Sequence, residues 1–235
     1  MLKKRSYEPE LMDMGTQFYT ETEYNECLYQ LDCIGKYSGN NTKMLKTFSS
    51  LPYKINSILD VGCGGGLFTL QLAKKFSSAK VYDTDISIQA IDYAKNQQKK
   101  FQENNLPLNN LNFELRTNCE LIEPEKSFDI VTSSLVCHHL SDESIVDFLK
   151  RAAKVAKKTI IINDLNRHWL AYVGCSIIMP MFSKNKLILK DSLLSIKKSF
   201  TYDEWINYLQ QAGFKKENYK ISWHWPFRWI IKVDV

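Results

Sequence analysis

The stretch Ser57-Ile-Leu-Asp-Val-Gly-Cys-Gly-Gly-Gly-Leu-Phe-Thr-Leu-Gln-Leu-Ala73 constrains the fold more than any other part of the chain. Ile58 to Val61 is a short apolar run carrying Asp60, the pattern of a parallel strand buried on both faces. Gly62, Gly64 and Gly66 follow at alternate positions, and then Leu67, Phe68, Leu70, Leu72 and Ala73 recur at helical spacing. A strand, a glycine turn and a helix start build a cradle at the strand's carboxyl end, where open α/β sheets bind ligands. Glycine suits such a turn because a β-carbon would hold a ligand off the backbone or disfavour positive φ.

The spacing narrows the ligand. The dinucleotide fingerprint G-x-G-x-x-G, read from Gly62, would place its third glycine at Leu67. Asp60-x-Gly62-x-Gly64-x-Gly66 instead resembles motif I of the class I methyltransferases, which bind S-adenosylmethionine (SAM). The resemblance implies that the loop of Asp60, Gly62, Cys63, Gly64 and Gly66 meets the amino-acid end of SAM. It also implies an α/β fold, a Rossmann-like doubly wound, mostly parallel sheet with a closing antiparallel strand and an N-terminal helical cap.

Downstream segments extend the pattern. Ala79 to Asp85 reads as a second strand, and Asp85-Ile-Ser87 opens a helix. Asp85 stands some twenty residues past the glycine loop, where such sheets carry a ribose-binding acid; a helix N-cap is its competing role, with Ser87 as a rival cap. Ile86 is counted with it among the cofactor residues. Asn112 to Thr117 reads as the third strand, followed by Asn118 and Cys119. By the resemblance Asn118 contacts the adenine amine, although many relatives carry Asp there, and the Cys119 amide meets an adenine ring nitrogen. Ser127 to Ser134 resembles motif IV, with Ser134 approaching the methionine portion of SAM. Ser141 starts a helix, and Thr159 to Asp164 is a fifth, apolar strand. Strands alternating with helices in this order mean a doubly wound parallel sheet.

The flanks give the organisation: a cap over 1–50, and a SAM-binding domain over 51–235 with an insert at about 165–195. In the cap, Tyr24, Leu28, Leu31 and Ile34 form a helical stripe, and Thr42 to Phe48 a second helix. Pro9-Glu-Leu-Met-Asp13 and Asp191-Ser-Leu-Leu-Ser-Ile-Lys-Lys-Ser-Phe-Thr201 resemble segments of a bacterial subgroup of small-molecule O-methyltransferases. The insert mixes Trp169, Tyr172, Met179, Met181 and Phe182 with Arg167 and His168, and is expected to form part of a substrate pocket. Thr201 and Glu204 make a capping box, and Lys216 to Ile221 with Phe227 to Val233 read as a closing antiparallel pair.

Methyl transfer is an in-line displacement, so alignment of donor and acceptor is the chief demand. A hydroxyl acceptor also needs a general base, and histidine is matched to neutral pH. His138 and His139 follow the fourth strand and Asp164 ends the fifth, so a His–Asp dyad is expected, with His138 slightly favoured as the base. A structural histidine, or Asp164 serving as a helix cap or as the partner of Arg167, is the competing arrangement. No carboxylate cluster of the metal-dependent catechol type is readable, so no metal is expected.

Composition sets the remaining bounds. At 235 residues, 44% hydrophobic and 24% charged, the chain is of ordinary globular make-up. A net charge of +5, spread over scattered lysines, points to a solvated surface rather than to specific nucleic-acid binding. Six cysteines without a CxxC pair fit reduced thiols in the cytoplasm. Trp169 to Phe182, the longest apolar run, is too short to span a bilayer, and contact with a membrane surface or a greasy acceptor stays open. The function expected is therefore SAM-dependent methylation, at oxygen, of a small, largely apolar acceptor of phenolic, quinone or polyketide type. The rivals are a nucleic-acid or protein methyltransferase, disfavoured by the missing Asn-Pro-Pro-Tyr/Phe signature, and a catalytically silent methyltransferase-like binding protein.

Overall fold

The structure is a computed structural model that describes residues 2, 4–104, 108–118 and 120–235. Seven strands, β1 (Ser57–Val61), β2 (Lys80–Asp85), β3 (Leu111–Leu115), β4 (Phe128–Ser134), β5 (Ala156–Leu165), β6 (Tyr219–His224) and β7 (Arg228–Asp234), form one sheet. Their order is β3-β2-β1-β4-β5-β7-β6. The first five run parallel, and β7 lies antiparallel between β5 and β6. The order reverses between β1 and β4, so a crevice opens at their carboxyl ends. The architecture is the doubly wound one that the alternation of elements implies.

Successive strand residues face opposite sides of the sheet. Ile58, Ile130, Ile161 and Ile230 join one core with the helices α2 (Asn40–Ser49), α3 (Leu67–Lys75) and α4 (Ile88–Glu103). Leu59, Val131, Ile160 and Ile231 face the other core, filled by α5 (Asp142–Val155) and α8 (Tyr202–Gln211). A third, smaller cluster joins α1 (Glu21–Tyr37), through Tyr24, Cys27 and Leu28, to Leu187 and Ile188 of α7 (Lys186–Lys198). The remaining helix, α6 (Trp169–Phe182), precedes α7 and packs on it. Capping follows the side chains: Thr201 and Glu204 form the expected box at α8, and Thr20 with Glu23 forms another at α1. No helix among the described residues is long and apolar enough to cross a membrane.

Several strand boundaries differ from expectation. β3 stops at Leu115, because its partner β2 ends at Asp85, the residue paired with Leu115. β5 begins at Ala156, since β4 extends the parallel pairing back to that residue. Lys216–Asn218 is a single 3-10 turn, so β6 starts only at Tyr219.

Candidate active site at the β1–β4 crevice

The glycine loop turns sharply out of β1. Gly62 has φ 91°, and a β-carbon there would stand 2.2 Å from Val136 Cγ2, so both backbone and packing require glycine. Gly64 has φ 49° and open space where its β-carbon would be, so any side chain there would project into the cavity the loop lines. Gly66 does not line this cavity. A β-carbon at Gly66 would lie 2.7 Å from Ala94 Cβ, so its task is the close packing of α3 on α4, and Gly65 takes its place in the lining.

The cavity holds about 960 Å³. Asp60, Gly62, Cys63, Gly64, Asp85, Ile86, Asn118 and Ser134 all line it, so eight of the ten expected cofactor residues converge; Cys119 lies outside the described residues. Asp85 Oδ1 accepts from the Ser87 amide at 2.8 Å and Oδ2 from the Gly64 amide at 3.1 Å, tying the two loops together. Ser87, not Asp85, is the N-cap of α4, through its hydroxyl on the Ala90 amide. Asn118 Oδ1 accepts from the Glu120 amide, and Ser134 Oγ from Asn163 Nδ2 at 2.7 Å.

Below the loop, Asp60 and Asp83 share the hydroxyl of Thr69. One hydroxyl hydrogen serves only one of them, so the other carboxyl must be the donor. Burial pushes Asp60 up to about 7 and Asp83 well above the carboxylate range. Asp83 therefore donates as a neutral acid to Thr69, which donates to Asp60.

At the other end of the cavity, Cys137–His139 forms a short 3-10 turn after β4 that sends its two rings to different places. His138 is 3% exposed and outside the lining, with Nδ1 2.7 Å from Asp164 Oδ1 and its amide donating to Asp164 Oδ2. Burial alone would raise the Asp164 carboxyl, but the His138 ring and the Leu165 and His138 amides hold it below its ordinary value. The expected dyad exists, yet it is buried. His139 is the ring that lines the cavity, and its Nδ1 lies 2.8 Å from Asp13 Oδ2. Asp13 is likewise held low, burial being outweighed by His139 and Lys198. A carboxylate only accepts, so each Nδ1 carries the hydrogen, and each Nε2 is the nitrogen left to accept.

Glu10 completes the cluster. Its oxygens stand 3.7 Å from His138 Nε2 and 3.8 Å from His139 Nε2, while Lys198 Nζ is 3.4 Å away and the Ser195 hydroxyl donates to it. The ligand atoms of Glu10, His138 and His139 converge within 4.8 Å, but the Lys198 ammonium already holds the carboxylate a cation would need. Asp191 accepts from the Leu11 and Met12 amides, fixing the turn Leu11–Asp13. The two segments that marked kinship in the sequence are thus each other's partners. Glu10, Asp13, Asp191 and Lys198 lie in those two segments but have no role assigned from the sequence; beyond the resemblance, the signal is the i, i+3 spacing of Glu10 and Asp13, which sets two carboxylates on one side of a turn. Arg167 pairs with Glu204 rather than Asp164, and His168 caps α6. Residues 165–195 supply no lining residue; they bear on the cavity indirectly, through α7 and the turn it holds.

Comparison with known proteins bears on the fold and on the domain that carries the crevice. A family model described as a methyltransferase domain matches residues 58–159. The ubiquinone biosynthesis O-methyltransferase of Bradyrhizobium diazoefficiens is 32% identical over 148 residues, covering 58% of this chain and 54% of that protein. Its counterpart in Bartonella tribocorum is 28% identical over 188 residues, covering 75% and 70%. The chain spans about half the length of the first curated relatives it matches. Among solved structures, an SAM-dependent methyltransferase from Aquifex aeolicus superposes with TM-score 0.62 at 19% identity, covering 90% of this chain and 98% of that one. Human N-acetylserotonin methyltransferase gives TM-score 0.64 at 16%, covering 98% and 62%. Residues 58–159 thus match a methyltransferase domain, and the chain has the Rossmann-like fold of SAM-dependent methyltransferases.

Proposed function

We propose that the chain transfers the methyl group of SAM to an oxygen of a small, largely apolar acceptor of phenolic, quinone or polyketide type. The observation that carries this reading is one continuous cavity running from Asp85 and Asn118 to His139. Its volume is at the upper end of the ~300–1,000 Å³ usual for small-molecule sites, which suits two ligands side by side. The relatives named for O-methylation in ubiquinone biosynthesis support oxygen as the acceptor atom.

The residues fit the cofactor. Gly64 leaves room for the amino-acid end, with Gly62, Cys63 and Asp60 beneath it and Ser134 beside the methionine portion. Each Asp85 oxygen takes one amide and keeps acceptor capacity for a ribose hydroxyl. Ile86 flanks the adenine and Asn118 accepts from its amine. Bound there, SAM supplies an electrophilic methyl on a sulfonium. The chain does the rest: residues between Met12 and Asn41 line the cavity from the N-terminal side, and His139 Nε2 takes the proton of the acceptor hydroxyl. Asp13 is a positioning residue for that ring, and His138 with Asp164 is the buried strut behind it.

The test is calorimetric titration with S-adenosylhomocysteine and NAD, followed by product analysis with SAM and a catechol-type acceptor. Saturable binding of the first ligand alone, and an O-methylated product, are expected; absence of S-adenosylhomocysteine binding would end the proposal.

A further inference from the structure

Helix α6 breaks the rule that a helix apolar on all sides is buried. Its fourteen residues, WLAYVGCSIIMPMF, carry no charge, and none of them is buried. Ile177 is 61% exposed, Met181 74% and Phe182 79%. The apolar surface continues beyond the helix through ring contacts. Trp169 stacks near His168, His168 stacks on Phe227 at 5.1 Å, and Phe227 meets both Trp223 and Trp225, which are themselves exposed. One face thus presents a bare apolar helix edged by three exposed tryptophans.

Within this segment the charge has one sign, and the two α1 acids that touch it, Glu23 and Glu26, are held by Lys186 and Asn185. From Leu165 to Lys190 the chain contains no Asp or Glu, and Lys184, Lys186 and Lys190 follow the helix on exposed positions. Lys186 is bridged to Glu23, leaving Lys184 and Lys190 facing outward. A second copy of the chain meeting this face about a twofold axis would repeat the same surface, setting lysine against lysine with no acid from the segment between them. A layer of anionic head groups over acyl chains matches both parts, accepting the lysines at its surface and the apolar side chains below it. Tryptophan belongs at that boundary. Fourteen residues rise about 21 Å, short of the ~30 Å hydrocarbon core, so the helix would lie in the interface plane.

We propose that α6, with Trp223 and Trp225, docks the protein on an anionic phospholipid bilayer, from which an apolar acceptor reaches the cavity. The link to the cavity is Met179 of α6, which packs against the cluster that joins Leu187 and Ile188 of α7 to the lining residues Tyr19, Tyr24 and Leu28. The second half of the proposal rests on the reading of an apolar acceptor; the docking itself does not.

The experiment is co-sedimentation of the full chain with vesicles of phosphatidylcholine alone and of equimolar phosphatidylcholine and phosphatidylglycerol, with tryptophan emission recorded alongside. Wild type is expected to sediment with the anionic vesicles, with a blue-shifted emission, and far less with the neutral ones. Met181→Glu/Phe182→Glu should abolish sedimentation, and Lys184→Glu/Lys190→Glu should weaken it by about tenfold or more at low salt. Both variants change exposed residues and should keep wild-type S-adenosylhomocysteine affinity, so loss of docking and loss of the cofactor site are read separately. Failure of wild type to bind anionic vesicles, or equal binding by the Met181→Glu/Phe182→Glu variant, overturns the proposal. So does a wild-type dimer that this variant dissociates without any lipid binding, which would assign the face to a second copy.

Discussion

Asp13 Oδ2 stands 2.8 Å from His139 Nδ1, a contact between residues 126 positions apart that joins the N-terminal segment to the end of β4. It fixes the tautomer of the imidazole that lines the cavity and leaves Nε2 to accept a proton. Asp13→Asn keeps the shape and removes the charge that stabilises a protonated ring. We expect kcat to fall by about tenfold or more while S-adenosylhomocysteine affinity stays at the wild-type value, because the cofactor residues lie at the other end of the cavity. Parallel loss of affinity would show that Asp13 shapes the whole cavity instead.

The cofactor end has its own test. Gly64→Val puts a branched side chain into open cavity space from a positive-φ backbone, and Asp85→Ala removes an acceptor that also ties Gly64 to Ser87. Both should weaken S-adenosylhomocysteine binding by at least about tenfold, the worth of ~1.4 kcal/mol, and should reduce the ligand-induced rise in Tm. Wild-type affinity in both variants would remove the glycine loop from the site.

The Asp60–Thr69–Asp83 chain predicts an unusual pH dependence. A carboxyl whose folded pKa is raised binds more protons in the folded state, so its contribution to stability falls as pH rises from the ordinary ~4. For Asp60 the fall ends near its folded value of about 7; Asp83, also raised by burial, loses its contribution in the same direction as pH rises. Asp83→Asn retains a donor to Thr69 without an ionisable proton. Its Tm should therefore hold up better than wild type as pH is taken from 5 to 9, measured by thermal melts across that range. Superimposable pH profiles would mean that Asp83 is not the protonated carboxyl of the pair.

What the sequence makes legible is local. Gly62, Gly64 and Asp85 are readable because a strand, a turn and a helix cap are each specified within a few residues. Gly66 shares the same spacing, but its role is set by Ala94 of the next helix, which no local pattern encodes. His138 and His139 are adjacent in sequence, and only the 3-10 turn decides which ring enters the cavity and which is buried on Asp164. Asp13 is invisible as a partner because its place depends on Asp191 of α7 gripping the Leu11 and Met12 amides. The insert's aromatic character was readable, whereas its exposure on the far side of α7 was not.

The two histidines should separate on mutation. His139 lines the cavity and is 26% exposed at its side chain, so His139→Ala removes a proton acceptor without opening the core. Loss of a general base costs ~10²–10⁴-fold in rate, and kcat should drop by that order with Tm and S-adenosylhomocysteine affinity nearly unchanged. Added imidazole should restore part of the rate, since the space left opens to the cavity. His138→Ala should behave differently, because it strips the partner from a fully buried carboxylate. Losing one hydrogen bond to a buried charged acceptor costs about 1.5–3 kcal/mol, so Tm should fall and imidazole should not rescue activity. Asp164 adds a pH signature: its lowered folded pKa contributes stability that is present above the unfolded value of ~3.9 and lost as pH falls through the folded one. That acid limb should shrink in His138→Ala and persist in His139→Ala. If His139→Ala keeps full kcat while His138→Ala loses it at unchanged Tm, the buried ring is the proton acceptor and the assignment to His139 fails.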